Sequence, residues 1–200
     1  RGLADRRRHL SLRGVSSAAV ASPGRPMSAS PHCLALVNAG ILRMSPDAPE
    51  MQHFYAEFDR VYAAAAAAPG YVWHLPQTIH GSDAEPVRLD PAQFEALGAA
   101  GKPLLVNVSL WRDAQSAREF VYRAVHGSIL RDHRGRWFDP LPGGALALWW
   151  LPVGVLPGPQ QGLERLLHLH RHGPSAEAFT FARPFPAPVP APDIAGAVAT

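Results

Sequence analysis

Leu104-Leu105-Val106-Asn107-Val108-Ser109-Leu110-Trp111 is a run of strand-forming residues with a strict period of two. Successive strand side chains point to opposite sides, so Leu104, Val106, Val108 and Leu110 share one face. Leu105, Asn107, Ser109 and Trp111 share the other. The first face is purely apolar. The second sets two polar residues beside a tryptophan.

Downstream, Asp113 is placed to cap a helix whose apolar positions include Ala117, Phe120, Val121 and Ala124. His126-Gly127 kinks or divides it before a further helical turn around Ile129 to Arg134. Ala145 to Leu151 reads as another strand. Gln160 to His172 reads as a helix closed by Gly173, and Phe179 to Phe181 as an edge strand. Upstream, Leu34 to Ile41 is the first strand. Asp47 and Glu50 form a capping-box pattern, with Pro49 in the first turn, for a helix running to about Ala68. Its apolar face carries Met51, Phe54, Tyr55, Phe58, Val61, Tyr62 and Ala65. Pro69-Gly70 stops it, and Tyr71 to Leu75 is a second strand. Residues 76–103 read as an insertion with a short helix over Pro91 to Ala99.

The order is β-α-β-β-α-β with an extra helix and strand, which predicts an α+β, ferredoxin-like unit. Helices on one sheet face would leave the other open. An open face carrying Trp and Leu needs a cover, and two such faces closing on each other would make a dimeric α/β barrel. Trp149 and Trp150 must then point to opposite faces.

The bulk numbers restrict the function classes. The chain has 200 residues, a formal charge of +3 and a pI of about 9.5. Residues 1–26 hold six arginines and one acid, so residues 27–200 sum to −2. The body has no basic surplus of the kind that binds phosphate backbones. The expected arrangement is a tail over 1–31, a domain over 32–186 and a Pro/Ala-rich tail over 187–200. The Arg- and Ser-rich start fits a transit peptide or a stretch upstream of a start at Met27. The expected location is cytoplasmic, or plastid or mitochondrial if that peptide is genuine. Cys33 is the sole cysteine, so no internal disulfide and no thiolate cluster can form. No apolar run reaches the roughly 20 residues of a membrane-spanning helix.

The segments LVNVSLW, FVYRAVH (120–126), RWF (136–138), LALWWLP (146–152) and RHGPSAEAFTFARPFP (171–186) resemble the uncharacterised family called domain of unknown function 3291. The resemblance covers most of residues 33–186. It implies a dimeric α/β barrel, alongside antibiotic-biosynthesis and haem-degrading monooxygenases. It does not imply a reaction, since fold does not fix function.

Several residues are candidates for chemistry. Asn38 and Asn107 are polar residues within apolar strands. With Ser109 and Trp111 they could line a cavity and hold a substrate enolate or phenolate, or they could satisfy local backbone groups. His126 is the candidate general base or haem ligand; the alternative is a helix-terminal imidazole that fixes the kink before Gly127. Tyr122 and Arg123 precede it on the same helix, and Arg123 could hold a substrate carboxylate or pair with Glu119. Haem-degrading relatives use an Asn on the first strand and a Trp and His near the second helix. Asn38 matches the first, Phe120 stands about where the Trp belongs, and His133 fits the ligand position only with a gap. Haem is therefore a minor option, and no cofactor is expected. His168, His170 and His172 could suggest a metal, but cationic residues at a helix C-terminus have an ordinary dipole explanation, and no metal is expected.

Three functions stay open. The first is a cofactor-independent, monooxygenase-like enzyme acting on an aromatic or polyketide-like substrate. The second is a non-catalytic barrel that binds a small apolar or aromatic ligand. The third is a structural dimeric module. The expected partners are a second copy of the chain and a small molecule, with neither nucleic acid nor membrane.

Overall fold

The computed structural model describes residues 31–75, 78–80, 89–126 and 136–189, with side chains for all but 78–80 and 124–126. The tails expected at 1–31 and 187–200 fall largely outside these residues, and the helical turn around Ile129 to Arg134, with His133, falls outside them.

The elements run β1 (His32–Leu42), α1 (Met51–Ala66), β2 (Tyr71–His74), β3 (Thr78–His80), α2 (Pro91–Ala96), β4 (Leu104–Trp111), α3 (Ala114–His126), β5 (Phe138–Asp139), β6 (Leu146–Pro152) and α4 (Pro159–His172). β4 pairs antiparallel with β1, placing Asn38 opposite Asn107 and Leu34 opposite Trp111. β6 pairs antiparallel with the same β1, while β2 and β3 follow each other along the free side of β4. The central order is β2-β4-β1-β6, all antiparallel, which is the ferredoxin-like sheet. The chain is thus an α+β, ferredoxin-like unit with an extra C-terminal helix.

The period-two reading of β4 holds on both faces. Leu34, Leu36, Leu105, Trp111 and Leu148 pack under α1 and α3, against Phe54, Phe58, Ala65 and Ala117. Ala35, Val37, Val106, Val108, Leu110 and Trp149 lie on the opposite face. That second face is not left open, contrary to expectation. α4 lays Leu163, Leu166, Leu167 and Leu169 across it, and Leu97 and Ala99 at the end of α2 cover the rest. Each buried leucine is worth about 2 kcal/mol over an exposed one, so the chain covers this surface with its own helix. Close approach depends on Gly162, where a Cβ would stand 2.9 Å from Val37 Cγ2 and 3.1 Å from Val108 Cγ2.

The helix ends correct one reading and support two others. The capping box expected from Asp47 and Glu50 does not form. Glu50 occupies the N-cap in helical conformation without a side-chain bond, because turns closed by Ala48 N–H to Ser45 O and Met51 N–H to Ala48 O lead straight into α1. A capping box forms at α2 instead, between Asp90 and Gln93. Asp113 caps α3, its Oδ1 accepting from the Ser116 amide at 2.7 Å. Gly173 ends α4 at φ 74° and donates to Leu169 O.

Trp149 and Trp150 point to opposite faces. Trp149 is buried under α4, and Trp150 Nε1 donates to Phe185 O at 2.8 Å. That bond ties down the segment after α4, where Phe179 and Leu148 exchange both backbone hydrogen bonds.

Candidate functional site

A cavity of about 520 Å³ lies between the sheet and the helices α1 and α3. The polar face of β4 forms its floor, and β1 and β2 extend that floor on either side. Asn38, Asn107, Ser109 and Trp111 all line it, as the alternation of residues 104–111 implies. The cavity is roofed not by a second sheet but by Phe58, Val61, Tyr62 and Ala65 of α1 and Phe120 and Val121 of α3. The sheet face that carries these residues is thus the one covered by α1 and α3.

The polar groups form a contiguous strip. Asn38 faces Asn107 across the β1–β4 pair, and His74 faces Ser109 across the β2–β4 pair. Tyr62 Oη donates to Asn107 Oδ1 at 2.6 Å. Trp111 Nε1 donates to Ser109 Oγ at 2.9 Å. Tyr71 Oη and His74 Nδ1 share a hydrogen bond of 2.5 Å. The Tyr62 ring stacks on the His74 imidazole, centroids 4.4 Å apart and planes within 6°. Trp111 in turn stacks on Phe120 with centroids 5.0 Å apart.

Burial, reinforced by the Asp59 carboxylate, pushes the Tyr62 phenol well above its ordinary range. Tyr62 is thus a neutral donor at any ordinary pH. Burial also raises Tyr71, partly offset by a hydrogen bond from the His74 backbone. At one edge of the cavity stands Asp139, bound by Lys102 Nζ at 2.6 Å and Arg43 Nε at 2.9 Å. The Lys102 hydrogen bond is the main cause that holds the Asp139 carboxyl below its ordinary range.

Tyr122 and Arg123 are not brought to this cavity. Both are exposed on α3, where Arg118 lies over the Tyr122 ring at 5.4 Å. His126 is the last residue of α3, and its side chain lies outside the described residues. Tyr62 and His74 belong to the strip yet do not stand out in the sequence. Tyr62 reads there as one more apolar-face residue. Tyr71 and His74 are three apart, which in a regular strand puts them on opposite faces. A register shift between Tyr71 and Trp73 brings both to the cavity side.

Two metal or haem readings meet the geometry here. His168 bonds Ser175 Oγ through Nε2 at 3.0 Å, and its Nδ1 lies 3.5 Å from Glu177. Among the described residues no group of three or more His, Cys, Asp or Glu could hold a metal ion. For haem, Asn38 and Phe120 do line the cavity, and among the described residues the imidazole on its wall is His74 of β2.

Among the described residues no helix is long and apolar enough to cross a membrane. No curated protein matches the chain. Several solved structures show weak likeness. SnoaB, a cofactor-independent oxygenase from Streptomyces nogalater, aligns over 63% of this chain and 98% of its own at 19% identity and a TM-score of 0.35. The NE2512 protein of unknown function from Nitrosomonas europaea aligns over 64% of this chain and 97% of its own at 12% identity and a TM-score of 0.36. Residues 33–193 match DUF3291, a domain of unknown function, and the chain belongs to that family.

Proposed function

We propose that this protein encloses a small, flat, mostly apolar molecule of aromatic or polyketide-like character. One observation carries the reading: a largely apolar cavity of about 520 Å³ with a polar strip of Asn38, Asn107, Ser109 and His74 across it and the ion-paired Asp139 at one edge. Small-molecule sites are built this way, with roughly 300–1,000 Å³ of largely apolar wall and a few convergent polar groups that fix orientation. A structural module would fill such a space with side chains, since close packing is worth more than a void. The test is mass spectrometry of small molecules released on denaturing the purified protein. An aromatic compound in stoichiometric amount supports the reading, whereas failure to bind any member of an aromatic library to the purified protein sinks it.

The same strip favours a second, chemical reading. Hydrogen-bond donors set in an apolar enclosure stabilise an enolate or phenolate more than water-exposed donors do. Such an anion can react with dioxygen directly, in a monooxygenase-like step. An activated ring methylene becomes a carbonyl; one oxygen atom enters the product and the other leaves as water with the two hydrogens. Dioxygen is the sole oxidant, and no reductant is consumed. His126 is the proposed general base. Oxygen uptake with enolisable aromatic ketones tests this reading, and its absence across such a set leaves binding alone. We further propose pairing with a second copy, supported by the exposed apolar side chains Val153, Val155 and Leu156 after β6. Sedimentation as a monomer at micromolar concentration would contradict it.

A further inference from the structure

The polar strip has a property that its residue types alone do not reveal. Asparagine, serine and neutral histidine each offer both a donor and an acceptor. In this structure an acceptor atom of three of these residues, Asn107, Ser109 and His74, is met by an aromatic side chain. Asn107 Oδ1 receives the Tyr62 hydroxyl, and Ser109 Oγ receives the Trp111 indole N–H. His74 Nδ1 lies against the Tyr71 hydroxyl. Each capped atom leaves a donor behind: the Asn107 amide N–H groups, the Ser109 hydroxyl hydrogen and, with Nδ1 accepting, the His74 Nε2–H. Asn38, across the strand pair from Asn107, can turn its own amide N–H to the same side.

We infer that three aromatic donors convert this wall into a donor surface, with Tyr71 holding His74 as the Nε2–H tautomer, so that the cavity selects its ligand by acceptors: a planar aromatic ketone, enolate or phenolate. This rests on the proposed small-molecule function and narrows it to a ligand class. Tyr71 acts here as a positioning residue. The direction of its hydrogen bond follows from general chemistry: a phenol O–H is a stronger donor than a neutral imidazole N–H, and an imidazole nitrogen is a stronger acceptor than a phenol oxygen. The Tyr71 ring packs edge-on to Trp111 with centroids 5.8 Å apart, which keeps the hydroxyl in place. A ligand that brings donors to such a wall leaves buried groups unpaired on both sides, a larger loss than a missing contact.

The tautomer is read directly from the two ring-nitrogen resonances of His74 in histidine-labelled protein, at alkaline pH where imidazoles are neutral. The wild type is expected to show a protonated Nε2 and a bare Nδ1. Tyr71→Phe keeps the ring against Trp111 and removes the hydroxyl, and is expected to shift both resonances toward a mixed tautomer. A wild-type His74 protonated at Nδ1, or resonances unmoved by Tyr71→Phe, overturns the assignment. Ligand polarity is tested with two flat probes of similar size, flavone (acceptor only) and 2-phenylindole (donor only). Flavone is expected to bind at least about tenfold more tightly, and equal or reversed affinities overturn the inference. If neither probe binds, the small-molecule reading of the cavity falls, while the nitrogen resonances still decide the tautomer.

Discussion

Tyr62 of α1 donates its phenol hydrogen to Asn107 of β4 across 2.6 Å, and that bond joins the roof of the cavity to its floor. Tyr62→Phe removes the donor and leaves the Asn107 carbonyl without it. The expected loss is about 1–2 kcal/mol of unfolding free energy, the range for a broken hydrogen bond with a part-buried partner left behind. Urea unfolding measures it. A loss below a few tenths of a kcal/mol would show that the contact is incidental.

The same phenol makes stability sensitive to alkali. Its folded pKa lies above the unfolded value, with burial the first cause and Asp59 the second. The contribution is therefore complete below the unfolded pKa of about 10 and is lost as pH rises toward the higher folded value, since the unfolded chain releases its proton first. Stability of the wild type should fall with increasing pH above about 10, and the slope should be shallower in Tyr62→Phe. Equal slopes in urea titrations at pH values through that window would contradict the buried, neutral phenol.

Gly162 is where α4 touches the sheet. A Cβ there would meet Val37 and Val108 at 2.9 and 3.1 Å. Alanine normally favours a helix by about 1 kcal/mol over glycine, but overpacking costs about 1–3 kcal/mol, so Gly162→Ala should be net destabilising. A stabilised variant would mean that α4 sits less tightly than the geometry requires.

The two histidines named above should separate. His74→Ala removes an imidazole from the cavity wall and the stacking partner of Tyr62, so ligand affinity is expected to drop by about fivefold to tenfold, the worth of one hydrogen bond and its packing. His126→Ala, under the proposed base role, should lower turnover with an enolisable ketone and leave affinity within about twofold. Calorimetric titration and oxygen uptake together distinguish them. A loss of affinity in His126→Ala with none in His74→Ala would reverse the assignment.

Local pattern carried most of the fold. The period of two in residues 104–111 places every side chain of β4 on its observed face, and Asp113 and Gly173 mark helix ends by chemistry that needs no tertiary context. What pattern could not carry was the long-range cover. Gln160 to His172 reads as an amphipathic helix, but nothing in its spacing says that it closes its own sheet rather than leaving that face for a second copy; Gly162 over Val37 is a tertiary fact. The site divides the same way. Asn38, Asn107, Ser109 and Trp111 were legible because a polar residue in an apolar strand is conspicuous. His74 was not, because the irregularity between Tyr71 and Trp73 changes which face it occupies. Tyr62 was not, because its partner lies 45 residues away. Asp47 shows the opposite failure, a correct capping pattern overruled by turns that start the helix unaided.

The central claim is that the space between β4 and α1 holds a ligand. Val61 lines that space from α1 and is not fully buried, so Val61→Trp fills it with little strain on the core. The decisive measurement is calorimetric titration of flavone into the wild type and into Val61→Trp, with thermal unfolding of both as the control for folding. The account predicts saturable binding to the wild type and at least a tenfold loss, about 1.4 kcal/mol, in a variant that unfolds at the same temperature. Binding of equal strength to a folded Val61→Trp, or none to the wild type, would contradict it.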